Sequence, residues 1–213
     1  MTTLLCNPER SEAIARLARP APLPDGLEPE ERVIICAIGW EGHLELDKAL
    51  GDDRPGPRFY FLDGDLEIMS TSDEHERIKK WIGGCMDDFL EQHEIANMPR
   101  GQATMRLLET SVAEPSESWC LGEEKKYPDI VLEIALTSGG LPKLEIYRRF
   151  GVPEVWMWRR GRFEVHCLRA DGSGYDRSAA SRLLPALPIA ALEEAVANRD
   201  WMQARRGFRA ALR

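Results

Sequence analysis

Residues Tyr127 to Arg160 read YPDIVLEIALTSGGLPKLEIYRRFGVPEVWMWRR, and the fold is decided by how that stretch is parsed. Ile130 to Leu136 is an apolar run interrupted by one charge, Glu133. A near-continuous apolar run of this length is what a strand covered on both faces shows. Gly139 and Gly140 break it, and residues 142–150 then read as an amphipathic helix ended by Gly151, in the position of a C-terminal glycine cap. Val155 to Trp158 is a second strand. Strand, turn, helix and strand in this order predict an α/β arrangement.

The pattern extends in both directions. Residues 33–38 read as a strand and 40–50 as a helix. Residues 58–62 and 66–69 flank Asp63-Gly64-Asp65, a hairpin signal. Ser72 can cap a long helix over about 73–93, whose apolar positions Ile78, Ile82, Cys85 and Phe89 step by three and four, although Gly83 and Gly84 weaken its middle. Residues 103–108 and 118–121 are strand candidates, 163–168 forms a hairpin with 155–158 around Arg160-Gly161, and 189–197 and 199–212 read as helices. Towards the N-terminus, 8–18 reads as a short helix and 20–29, with four prolines, as an extended arm. The expected organisation is an N-terminal helix and arm over 1–30, one domain over 31–197 built on a central mixed sheet flanked by helices, and a basic C-terminal helix over 198–213.

Composition narrows the function. No run approaches the roughly 18 apolar residues of a membrane span, and the first 20 residues lack signal-peptide order, so a soluble cytoplasmic protein is expected. Five cysteines without a CxxC pair predict buried free thiols rather than zinc ligands. The net charge of −8 argues against bulk nucleic-acid binding, but the charges are uneven. Residues 63–94 hold ten acidic against three basic side chains, and 142–170 hold seven basic against three acidic. A basic second half could meet phosphates; the plainer reading is a solvated face. No phosphate-cradling glycine loop is present, which argues against nucleotide kinases, dinucleotide oxidoreductases and an organic cofactor.

Glu133 leads the candidate residues, because a carboxylate inside an apolar strand needs a partner or a metal. The competing reading turns it to solvent or to a lysine at a sheet edge. Lys143, at the start of the following helix, can fold back towards Glu133 and neutralise charge on a phosphoryl group; otherwise it is a first-turn surface lysine. Asp129 shares the Glu133 face but stands roughly 13 Å away, so it more plausibly ends the strand or binds backbone. His75 and Glu76 open the long helix: His75 lies on the apolar stripe, and Glu76 is placed to pair with Lys80 or to act as an outer ligand. Ser138 has no His-Asp partner in view and is a weak nucleophile.

RFYFLDGDLEIMSTSDEHERI (58–78), GQATMRL (101–107), PSESWCLG (115–122), PDIVLEIALTSGGLPKLEIYRRFGVPEVWMW (128–158) and LLPALPIAALEEAV (183–196) resemble the Uma-type restriction endonucleases, a family of the PD-(D/E)XK nuclease superfamily. The resemblance runs from about Arg32 to Val196. It implies a restriction-endonuclease-like core, Mg²⁺- or Mn²⁺-dependent cleavage of DNA, and a homodimer. It makes Glu133 the second acid of the superfamily pattern and moves the lysine to the helix, as Lys143, because position 135 is alanine. Glu76 becomes the acid of the first helix, and Ser116 stands where the family carries its first aspartate. A serine hydroxyl is a poor Mg²⁺ ligand beside a carboxylate. Glu117 points to the opposite face of a regular strand, and Glu114 reaches back only if the strand bends. Two readings follow: a metal-dependent endonuclease with Glu133, Glu76 and Lys143 in its site, or a catalytically degenerate nuclease fold serving as a nucleic-acid-binding or regulatory module.

Overall fold

The computed structural model describes residues 2–5, 30–51, 56–137 and 139–213. The expected helix over 8–18, the proline-rich arm and Ser138 lie outside the described residues. The chain forms two compact units, each assembled from three separate segments. The first comprises Met1–Asp73, Thr104–Glu114 and Leu136–Phe150; the second comprises Glu74–Ala103, Pro115–Ala135 and Gly151–Arg213.

The first unit is built on a six-stranded sheet in the order β1-β2-β4-β3-β7-β6. Its strands are β1 (Thr2–Leu5), β2 (Arg32–Ile35), β3 (Arg58–Leu62), β4 (Asp65–Met69), β6 (Met105–Leu107) and β7 (Ser111–Ala113). Helix α1 (Gly39–Leu50) packs Trp40 and Leu46 onto Phe59, Phe61, Leu66 and Val112. Side chains alternate along a strand, so the other face of this sheet is set by the register. There Glu67 pairs across with Ile34 on β2 and with Tyr60 on β3, and Arg32 pairs with Met69. Helix α3 (Lys143–Phe150) completes this unit and meets β7.

The second unit has its own six-stranded sheet, β12-β11-β10-β9-β8-β5. These strands are β5 (Asn97–Pro99), β8 (Glu117–Leu121), β9 (Ile130–Ile134), β10 (Glu154–Arg159), β11 (Arg162–Leu168) and β12 (Tyr175–Ser178). β9 pairs in parallel with β10 and antiparallel with β8. Every residue of β9 is buried, as its apolar run predicts. Arg160 and Gly161 both take positive φ, 50° and 76°, the geometry of the tight turn between β10 and β11. The helices of this unit are α2 (Asp73–Gln92, from Glu74 onward), α4 (Ile189–Ala197) and α5 (Trp201–Ala211).

The α/β class expected from the sequence stands, but with two mixed sheets where one was expected. Each sheet contains one parallel pair, β1 with β2 and β9 with β10. The expected C-terminal piece belongs to the second unit, where the Trp201 ring stands 4.6 Å from that of Trp81 and Asp88 bonds Arg205 and Arg209. Gly84, a weakness in the helical pattern, has a packing reason: a Cβ there would come within 2.6 Å of the Trp201 ring. Cys36 corrects the free-thiol expectation. It is disulfide-bonded, in a half-buried turn just after β2. Cys85, Cys120 and Cys167 are free and buried. Among the described residues no helix is long and apolar enough to cross a membrane.

Candidate active site

In the second unit, a buried serine–histidine pair lies against β9, the strand that carries Glu133. Glu133, the fourth of the five residues of β9, is 3% exposed, so the reading that turns it to solvent fails. Ser116 lies beside it: its backbone N–H donates to Leu132 O at 2.9 Å, and its Oγ accepts the Ile134 N–H at 3.0 Å. Those two residues flank Glu133, so Ser116 stands opposite it, one step beyond the Glu117–Leu132 pair of β8 and β9. His75 closes the group from α2, with Nε2 at 3.2 Å from Ser116 Oγ. Both His75 and Ser116 are 0% exposed. Successive helix residues are turned by about 100°. Glu76 accordingly leaves the apolar stripe: its side chain is 46% exposed and lies 3.6 Å from Lys79, one residue nearer than the expected Lys80.

Lys143 opens α3 in the first unit and is no surface lysine: its side chain is 10% exposed. Its Nζ stands 3.0 Å from Glu67 Oε2 and lies over the Tyr60 ring. Glu67, 0% exposed, also accepts the Leu141 N–H at 2.6 Å. Arg32 joins the cluster: its Nε is 3.9 Å from Glu67 Oε1, it bonds Glu30 at 2.7 Å, and it donates to Gly139 O. Burial lowers the pKa of Arg32, and the Glu67 and Glu30 carboxylates more than reverse this, leaving it above its ordinary value. Glu30 also accepts from Thr137 Oγ1 at 3.2 Å. Thr137, Gly139, Leu141 and Lys143 are thus tied to three buried charged residues of the first unit, Glu30, Arg32 and Glu67.

Sequence reasoning passed over Glu67. The signal was present, since LEIM (66–69) places a carboxylate in an apolar strand just as IVLEI (130–134) does. Two other acids have structural duties. Asp129 accepts the Leu121 N–H at 2.7 Å, the backbone role expected of it. Glu114 accepts the Phe59 N–H at 2.9 Å and bonds Thr104 at 3.1 Å, within the first unit.

The basic runs are largely neutralised. Arg148 pairs with Glu145, Arg149 with Asp63, Arg162 with Glu193, Arg169 with Asp176 and Arg199 with Glu74, besides the Asp88 pairs. Salt bridges within each unit, rather than an open phosphate-facing surface, account for most of that charge.

The donor chemistry bears on a metal. Among the described residues no group of three or more His, Cys, Asp or Glu side chains is arranged to hold an ion. A cage made wholly of protein side chains is therefore not what these residues offer. Mg²⁺ does not need one: it commonly takes one or two carboxylates and completes its shell with water and substrate phosphate. Glu133 fits that sparser demand.

Residues 40–200 match the Uma2 family, described as "Putative restriction endonuclease". The chain belongs to this family, and its membership supports a nuclease function. Among solved structures it is similar to "a putative nuclease belonging to DUF820" from Anabaena variabilis ATCC 29413. The two share 10% identity with a TM-score of 0.45, over 83% of this chain and 99% of that one. No curated protein matches the chain.

Proposed function

We propose that this chain is a metal-dependent endonuclease that hydrolyses phosphodiester bonds of DNA. One observation carries the reading beyond family membership: Glu133, a carboxylate 3% exposed, lies in a strand whose every residue is buried. A carboxylate held there, screened from bulk water, attracts a cation more strongly than one at the surface would.

Glu133 would hold Mg²⁺ or Mn²⁺ through a carboxylate oxygen, and Glu76, half exposed, would reach it through water. The ion, when bound, supplies a Lewis acid that polarises the phosphate and acidifies a bound water. Lys143 would stabilise the negative charge that grows on the phosphoryl oxygens. Ser116 would orient a water with its hydroxyl, whose geometry His75 and Ile134 hold. Assembly as a homodimer completes the proposal; the mass of the particle in light scattering, one chain or two, checks that part.

A second reading, a catalytically degenerate nuclease fold that binds nucleic acid or regulates, is favoured by Ser116. The hydroxyl there brings no charge and is engaged by His75 and Ile134. Incubation of supercoiled plasmid with the protein and Mg²⁺ or Mn²⁺ separates the two. Metal-dependent nicking lost in Glu133→Ala supports the enzyme; DNA binding without nicking supports the module.

A further inference from the structure

We infer that Glu67 is the positioning residue for Lys143. Its carboxylate holds the ammonium and the Gly139–Leu141 turn in one arrangement. The inference rests on the hydrolytic role proposed for Lys143, and it concerns only groups of the first unit.

The geometry is specific to a carboxylate. Oε2 of Glu67 meets the Lys143 ammonium at 3.0 Å and the Leu141 N–H at 2.6 Å. Lys143 is the first residue of α3 and Leu141 stands two residues before it, so one anion fixes both the start of the helix and its first cation. An anion at a helix N-terminus is favoured by the helix dipole as well. The turn has been shaped around that anion. Gly140 takes φ +103°, and a Cβ there would come within 2.6 and 2.9 Å of the two Glu67 oxygens. No residue but glycine lets the backbone close over the carboxylate in this way.

Charge balance points the same way. Arg32 and Lys143 share Glu67, with Arg32 Nε 3.9 Å from Oε1. Without the Glu67 charge, Lys143 would face a buried guanidinium balanced by Glu30 alone among the partners described for it. A lysine has four rotatable bonds and a point charge, so its use in catalysis depends on something to hold it. Glu67, anchored on β4, is that group.

The test labels lysines of the intact chain with ¹³C-formaldehyde and a borane reductant, with the Lys143 signal assigned through Lys143→Arg. Glu67→Gln keeps the shape and an acceptor for the Leu141 N–H but removes the charge; Glu67→Asp keeps the charge one methylene further back. In Glu67→Gln, Lys143 is methylated several-fold faster than in the wild type, and its dimethyl signal moves towards those of solvated lysines. Glu67→Asp falls between the two, and it carries the test alone if Glu67→Gln does not fold. A wild-type labelling rate at Lys143 in either folded variant overturns the inference. Plasmid nicking is measured on the same samples. Where the wild type nicks, Glu67→Gln lowers kcat more than it alters KM, and an unchanged kcat overturns the inference. A wild type that does not nick counts against the hydrolytic reading, while the labelling rates still decide whether Glu67 holds Lys143.

Discussion

Ser116 Oγ lies 3.2 Å from His75 Nε2 while accepting the Ile134 N–H at 3.0 Å, so the residue at the first-acid position is held by two buried hydrogen bonds without carrying a charge. A hydroxyl has one donor and two acceptor sites, and these contacts take up most of them. Adding a carboxylate at this point should supply what a hard cation favours. Ser116→Asp is expected to bind Mn²⁺ more tightly than the wild type in calorimetry. Equal affinities would show that position 116 does not line the metal site.

The same contacts have a cost of removal. In Ser116→Ala the buried Ile134 N–H and His75 ring lose a partner that water cannot replace, since Ser116 and His75 are both 0% exposed. A loss of about 1–3 kcal/mol in urea denaturation is expected. A stability within experimental error of the wild type would mean that the pair is not formed in solution.

Gly84 and Trp201 make a packing prediction that is independent of activity. Gly84→Ala places a methyl group 2.6 Å from the Trp201 ring, against a helix anchored by Arg205 and Arg209. Helix propensity alone would favour alanine by about 1 kcal/mol. Overpacking costs about 1–3 kcal/mol and should outweigh it. Gly83→Ala, with nothing near its added Cβ, is the control and should stabilise. If both variants stabilise alike, α5 does not pack on α2 as described.

Much of this was legible in the sequence, for reasons that differ from element to element. The β9–α3–β10 stretch was readable because its apolar run, glycine break and helical period are local signals. The strands β5, β7 and β12 were missed: they are three or four residues long, and β12, Tyr175–Ser178, is largely polar. The division into two sheets was hidden because it depends on which strands pair across distant segments, and β3 finds its partner β7 some fifty residues on. Among the candidate residues, buried Glu133 followed from its apolar strand and the inward His75 from the helix period, whereas Ser116 came only with the family resemblance. Glu67 was missed although it carries the same mark as Glu133. The pairing of the basic runs was hidden, because a count of charges is blind to carboxylates such as Asp63 and Asp88 that fold onto them.

Asp88 makes the docking of α5 dependent on pH. Burial raises its pKa, and hydrogen bonds from Arg205 and Arg209 more than reverse the effect, leaving it below the ordinary aspartate value. A carboxylate depressed in the folded state contributes stability that is complete above the unfolded value, about pH 4, and is lost as the pH falls through the folded one. Tryptophan emission from Trp81 and Trp201, whose rings are 4.6 Å apart, should therefore change on acidification below about pH 4. Asp88→Asn should weaken that dependence. An acid transition of the same size in the variant would assign it to other carboxylates.

The central claim is that Glu133, the buried acid of β9, supports hydrolysis of DNA. Conversion of supercoiled plasmid to open circles, followed with and without Mg²⁺ or Mn²⁺ for the wild type and Glu133→Gln, tests it most directly. Glutamine preserves the shape of the buried side chain and removes the charge that would hold the ion. The account predicts nicking by the wild type that EDTA abolishes and a loss in Glu133→Gln of at least about a hundredfold, or roughly 2.7 kcal/mol of transition-state stabilisation. Nicking by Glu133→Gln at the wild-type rate, or no nicking by a folded wild type with either ion, would contradict it.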